Sequence, residues 1–230
     1  MRKELVLSSA LILVSVLGCS RFTDLANSTA SPADTNAANT NAANVSEAQP
    51  SGEFSPTSDA KADIRRMGER LLSQKSYRAT IESEGVTPMN GVLEYAAPDR
   101  FRIQFETGME TIIIGNTTYI RVGGSWRKMP VALDSPIADL KSAFDEESMK
   151  WFEGVRYVGV ETVDGRPSYA YAYNTKLPKY GGGDIDSKLW VAIDNGLPLK
   201  VEADYRSGEL KKMRITYDHS TPVSIEPPIK

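Results

Sequence analysis

From Tyr77 onward, apolar residues recur at every second position, and the runs are broken at short intervals by turn-forming residues. Tyr77, Ala79 and Ile81 alternate with polar neighbours, and Val92 to Ala96 resumes after Pro88-Met89-Asn90-Gly91. Pro98-Asp99 starts the next run, with Phe101, Ile103 and Phe105 on one side and Arg100, Arg102 and Gln104 on the other. Thr111 to Ile114, Tyr119 to Val122 and Trp126 to Met129 follow, separated by Asn116 and by Gly123-Gly124. A period of two sends alternate side chains to opposite faces of a strand. Connections this short join only antiparallel neighbours. The chain is therefore constrained to an antiparallel sheet with one apolar face.

The alternation is interrupted once and then resumes. Asp134 or Ser135 supplies a helix cap, Pro136 suits the first turn, and Ile137, Leu140 and Phe144 share a face. Met149, Trp151 and Phe152 form an apolar cluster on a second short helix or loop. Val155 to Val163 then turns at Asp164-Gly165 into Tyr169, Tyr171 and Tyr173. After a loose glycine-rich stretch, Lys188 to Ile193 turns at Asn195-Gly196 into Leu197 to Tyr205. Ser207-Gly208 leads to Leu210 to Tyr217. These runs predict about eleven strands and two helical insertions. Ahead of them, Ala60 to about Gln74 is helical: Ile64, Met67, Leu71 and Leu72 share a face, and Ser58 or Asp59 is the N-cap. Residues 59–230 are the size of one domain.

The N-terminus has a different character. Arg2 and Lys3 precede an apolar run, Leu5 to Leu17, and then Gly18-Cys19-Ser20, the layout of an export signal over residues 1–18. The run is about 13 residues, shorter than the roughly 20 a spanning helix needs. Val16-Leu17-Gly18-Cys19 resembles a bacterial lipobox, which implies cleavage before Cys19 and acylation (diacylglyceryl, often palmitate) of its thiol. Cys19 is the only cysteine, so an internal disulfide is impossible and the thiol is free for another role. Two acyl chains hold a protein stably at a membrane where one does not. Ser20 permits sorting to the periplasmic face of the outer membrane in a two-membrane host; otherwise the outer face of the cell membrane is expected. Residues 19–58 are rich in Asn, Ala, Ser and Thr and poor in large apolar side chains. Such a composition predicts a disordered tether, and about 39 residues of flexible coil have a root-mean-square span of roughly 35 Å.

Catalytic chemistry has few candidates. The single histidine, His219, sits just past the last strand and reads as a surface residue. No His/Cys cluster has zinc spacing, Asp184 and Asp186 read as a solvated turn, and Gly181-Gly182-Gly183 lacks the context of a phosphate loop. Net charge is −3 with acids and bases interspersed, which gives no basic stripe for nucleic acid. No catalytic residue, metal or cofactor is expected.

Pro98-Asp99-Arg100-Phe101-Arg102, the Ile113, Tyr119 and Trp126 hairpin pattern, and Lys188-Leu189-Trp190-Val191 with Asp194, Gly196-Leu197-Pro198 and Val201-Glu202 resemble the LolA/LolB-type lipoprotein carriers and the LppX-type lipoproteins. The resemblance implies a mainly β fold with helices (α+β), an open, strongly curved antiparallel half-barrel whose concave side is plugged by helices. It implies that an acyl chain of a lipid or acylated protein is sheltered between sheet and plug, in a carrier or chaperone role. The apolar faces then name the expected lining: Phe101, Ile103 and Phe105; Leu189, Val191 and Ile193; Leu199 and Val201; and Leu140, Phe144 and Trp151 from the insertion. The same faces equally suit a closed, filled core, in which case the domain is an envelope sensor or scaffold without lipid cargo. LolB carries an exposed apolar residue in an early hairpin loop; the nearest counterpart is Met109, which also reads as an edge residue of its turn.

Overall fold

The computed structural model describes residues 52–86, 88–129, 144–176 and 184–229. Helix α1 (Ala60–Leu72) is followed by β1 (Ser76–Gly85), β2 (Gly91–Ala96), β3 (Arg100–Phe105), β4 (Glu110–Ile114), β5 (Thr117–Val122) and β6 (Ser125–Lys128). A one-turn helix, α2 (Glu146–Met149), precedes β7 (Phe152–Val163), β8 (Arg166–Lys176), β9 (Asp184–Ala192), β10 (Pro198–Tyr205) and β11 (Leu210–Asp218). All the strands join one antiparallel sheet in the order β6-β5-β4-β3-β2-β1-β11-β10-β9-β8-β7. Every neighbouring pair but one is a hairpin. The exception is β1 with β11, which closes the register Ala79 to Tyr217 and Ile81 to Ile215.

The chain thus walks outward from the centre to β6, crosses to the far edge at β7, and walks back. The sheet does not close, and β6 and β7 remain its two edges. Two helices among the described residues and an eleven-stranded open sheet fit the half-barrel that the resemblance implies. The insertion differs in detail. The helix expected around Ile137 and Leu140 lies outside the described residues. The second helix is only Glu146–Met149, and Phe152 already belongs to β7.

Helix α1 forms for local reasons. The Asp59 carboxylate accepts from the backbone N–H of Lys61 and Ala62, each at 3.0 Å, which satisfies two of the unpaired donors of the first turn. Ile64, Met67 and Leu71 fall on one face and are buried. That face lies on the concave side of the sheet. Its N-terminal half meets Tyr171, Leu189 and Val191; Leu71 meets Tyr77, Tyr95, Phe101 and Ile113.

The opposite, convex face carries charge. Arg78, Glu94, Arg102, Glu110 and Arg121 form a chain of ion pairs across β1 to β5, the tightest being Arg78 Nη2 to Glu94 Oε1 at 2.7 Å. Surface pairs of this kind contribute at most about 1 kcal/mol each. Their consequence is to commit this face to water, so the apolar face is the concave one. The C-terminal tail covers part of the convex side, where Ile225 is buried against Ala96, Ile112 and Tyr119 and Arg100 donates to its carbonyl at 2.6 Å.

Candidate functional site

The concave face has two ends with different cover. At the end where β1 starts, α1 lies across the sheet and the chain's own side chains fill the hollow. Phe144 and Met149, from the crossover, pack with Ile64, Met67, Tyr171, Leu189 and Val191. At the other end, Ile81, Ile103, Phe105, Ile185, Ala203 and Met213 form a second cluster running from β3 to β9, flanked by Leu93, Met89, Met109, Tyr205 and Leu210. Neither described helix contributes a side chain to it.

One buried aromatic comes from outside the expected domain. Phe54 is 0% exposed, its ring seated among the α1-end cluster and its N–H donating to Ile193 O at 2.9 Å. The guanidinium groups of Arg66 and Arg70 lie 4.7 and 5.5 Å from the ring centroid. Arg70 also donates to the carbonyls of Gly52 and Asn195, and Arg66 to that of Ser55. Gly196 makes room: a Cβ there would sit 2.6 Å from Phe54 Cδ2, and its φ of +68° favours glycine. The composition places the tether boundary at 58/59, yet residues 52–58 are docked on the domain. The reason is the burial of one large aromatic together with the hydrogen bonds that Thr57, Ser55, Phe54 and Gly52 make to the domain.

Asp63 ties this strap to the sheet. The side chain is fully buried. Its carboxylate accepts from the Thr57 N–H at 2.9 Å, the Thr57 hydroxyl at 2.8 Å, Arg66 at 2.6 Å and the Tyr171 hydroxyl at 3.1 Å. Burial alone raises its pKa, but the hydrogen bonds from Thr57, Arg66 and Tyr171 outweigh it and hold the carboxyl below its ordinary value. The tyrosines facing the hollow are pushed the other way. Burial raises Tyr173 to about 12 and Tyr205 to about 12, and Tyr171 higher still, helped by the Asp63 charge. These phenols stay neutral at physiological pH, and Asp63 with Arg66 is the charged pair beside them. The Tyr205 hydroxyl is buried there without a hydrogen-bond partner among the described residues.

Among the residues expected to line the hollow, Phe101, Ile103, Phe105, Leu189 and Val191 are buried on the concave face, and Phe144 and Val201 pack with them. Ile193 is half-buried in the turn after β9. Leu199 goes to the opposite face, against Val163, Ala170, Trp190 and Ala192, because the β10 register shifts between Pro198 and Lys200 and breaks the alternation. Trp151 stands at the rim, 36% exposed, rather than in the hollow. Leu140 lies outside the described residues. Met109 is half-buried against the second cluster and does not project.

His219 is not a free surface histidine either. It stacks on Tyr217 with an interplanar angle of 2°, and its Nε2 lies 2.8 Å from Pro198 O, which makes Nε2–H the donor. Burial lowers its pKa. Phe54 and Asp63 were not singled out by pattern reading, and Tyr169 and Tyr171 were read as one face of a strand but not as lining. Phe54 was legible only as one of two aromatics, with Phe22, in residues 19–58; the roles of the others needed the sheet register.

Two clefts are lined by described residues. One of about 530 Å³ lies between Glu82, Glu161, Trp190, Lys200 and Arg214, and one of about 260 Å³ between Glu82, Asn90, Glu202, Lys212 and Arg214. Neither is lined by the aromatic rings of the concave face. Among the described residues no group of three His, Cys, Asp or Glu side chains could hold a metal. The chemistry available on the concave face is apolar contact with neutral hydroxyls at its margin.

No protein-family model matches the sequence, and comparison with curated proteins finds no match. Solved structures do match. Mycobacterium tuberculosis lipoprotein LppX aligns with 73% of this chain and 98% of its own, at 13% identity and a TM-score of 0.55. LprF from Mycobacterium bovis aligns with 78% and 100%, at 13% identity and a TM-score of 0.53. Sharing so few residues over nearly the whole of both proteins, the domain has the open, curved half-barrel fold of the LppX-type lipoproteins.

Proposed function

We propose that the chain is an exported envelope lipoprotein, anchored through acyl groups on Cys19, whose concave face takes up the hydrocarbon chain of a lipid or of an acylated protein as a carrier or chaperone. One observation carries this reading: the concave face remains apolar from β3 to β9, beyond the reach of α1, and includes a Tyr205 hydroxyl without a partner among the described residues, which an ester or carboxylate oxygen would satisfy. Burying about ten methylenes at ~0.8 kcal/mol each offers roughly 8 kcal/mol before ordering costs. That gross figure corresponds to about micromolar affinity. Phe101, Ile103, Phe105, Leu189, Val191 and Val201 are the lining we assign to the sheet side, with Phe144 from the crossover. In a two-membrane host the periplasmic face of the outer membrane is the location that Ser20 favours.

The test has two arms. Full-length protein expressed in a bacterium partitions into detergent and its N-terminal peptide carries acyl mass, whereas Cys19→Ser stays aqueous. Mature protein without the anchor, extracted with organic solvent, yields co-purified lipid by mass spectrometry and binds a fluorescent long-chain fatty acid. Clean extracts together with no probe binding reject the carrier reading and leave only the anchor. A second reading, an envelope interaction module without cargo, is favoured by Phe54, Phe144 and Met149 filling the α1 end of the hollow. It expects capture of a specific envelope protein that is indifferent to the fatty-acid probe.

A further inference from the structure

A buried donor with nothing to donate to is uncommon in a folded protein and calls for an explanation. Tyr205 carries one: its ring is half-buried against the second cluster, and its hydroxyl is buried without a partner among the described residues. The register shows what surrounds it. Tyr205 is paired with Ile185, and Ile185 with Thr175. Two positions along the strands, Tyr173 is paired with Ser187, Ser187 with Ala203, Ala203 with Met213, and Met213 with Ser83. Thr175, Ser187 and Ser83 are buried. Every polar side chain in these two rows ends in a neutral hydroxyl, and the rest are apolar.

The phenols converge. Burial raises the pKa of Tyr173 first, and the nearby Tyr205 phenol adds to it. Burial likewise raises that of Tyr217, on β11, with Tyr173 adding. No basic side chain belongs to the two rows, and Asp63 and Arg66 pair with each other beside Tyr171. From Tyr205 the apolar lining continues through Met213 and Ile81 to Ile103 and Phe105. β10 and β3 are four strand spacings apart, roughly 19 Å along the sheet at about 4.8 Å each. Met89 and Met109 flank this stretch half-buried, and unbranched thioethers re-pack readily around an occupant.

Resting on the acyl-binding reading, we propose that this hydroxyl cluster receives the carbonyl oxygen of an uncharged long-chain ester or amide, with Tyr205 as donor and the hydrocarbon laid across the strands toward Phe105. The site therefore selects an esterified or amidated acyl chain over the free acid. A carbonyl oxygen carries no charge and is satisfied by one donor, which Tyr205 supplies. A carboxylate in the same place finds no cation in either row, and burying an unpaired charge costs far more than burying a carbonyl.

The experiment is displacement of a fluorescent long-chain fatty acid from the mature protein at neutral pH by palmitate, by its methyl ester and by the alkane of equal length. Wild type is compared with Tyr205→Phe and, as control, with Tyr157→Phe at an exposed position on β7. The ester is expected to displace the probe about tenfold better than the acid, or more. Tyr205→Phe is expected to weaken the ester about fivefold, the worth of one neutral hydrogen bond, and to leave the alkane and the melting temperature unchanged. The control should match wild type. Equal displacement by acid and ester overturns the proposal while the carrier reading stands, since the probe still binds. Equal weakening of ester and alkane in Tyr205→Phe overturns it too, because the ring then acts by packing alone. A lower melting temperature in that variant means the hydroxyl already has a partner within the protein, with the same consequence. A diacylglycerol and a diacylated peptide with the same chains separate free lipid from acylated protein: a loss in Tyr205→Phe for either one supports the site and names the source, and a loss for neither overturns it. Wild-type protein that takes up no probe removes the carrier reading and this site with it.

Discussion

Asp63 is the residue on which strap, helix and sheet converge, since its carboxylate accepts from Thr57, Arg66 and Tyr171 at once. Its folded pKa lies below the unfolded value, so the stability it contributes is fully present above that value, about 3.9. It is lost as pH falls through the folded pKa. Asp63→Asn is expected to cost roughly 3 kcal/mol at neutral pH, because Thr57, Arg66 and Tyr171 lose the carboxylate charge to which they donate. That deficit should shrink as wild-type protein is acidified below about pH 4. Urea unfolding of both proteins across pH checks it, and a deficit independent of pH rules the ion-linked role out. At this scale the sequence was a partial guide. The alternation placed Phe101, Ile103, Phe105, Leu189 and Val191 on one face, whereas Leu199 crossed over at a bulge that no composition marks. Nothing in the pattern marks Asp63, because its partners Thr57 and Tyr171 come from 6 and 108 residues away.

Helix α1 holds its place through a glycine. Gly68 costs a helix interior about 1 kcal/mol relative to alanine, yet it is buried beneath Phe144, whose ring occupies the space a Cβ would need. Gly68→Ala is therefore expected to destabilise by about 1–3 kcal/mol through overpacking, against its propensity gain. Adding Phe144→Ala should cost less in that background than in wild type, a non-additivity of the kind found between touching residues. Thermal unfolding of the four proteins measures this directly, and simple addition of the two effects breaks the claimed contact. The strands were the most legible elements, because a period of two with short turns permits little else. The crossover was less so: Phe144 and Met149 pack under α1 while Trp151, a few residues on, stands at the rim. The two-residue step from Met149 to Trp151 on a short turn changes the direction of a side chain, and apolarity does not encode that.

For the whole molecule, the strap decides where the domain begins. Removing residues 20–51 from the mature protein should leave its melting temperature unchanged. Removing 20–58 deletes Phe54, whose burial is worth about 3–5 kcal/mol by analogy with core Phe truncations, and should lower melting by roughly ten degrees for a domain of this size. Calorimetry of the two truncations decides it; equal melting would mean the strap contributes nothing. The sequence by itself determined a mainly β chain of antiparallel hairpins with one apolar face, preceded by a helix, because side-chain periodicity and turn chemistry are local properties. The tertiary structure alone decided that β1 pairs with β11, that the two ends of the concave face are covered differently, and that Phe54 docks and β7 exposes its apolar residues. Each of these depends on contacts between distant parts of the chain, and sheet curvature, which no short window of residues contains, sets which of those parts meet.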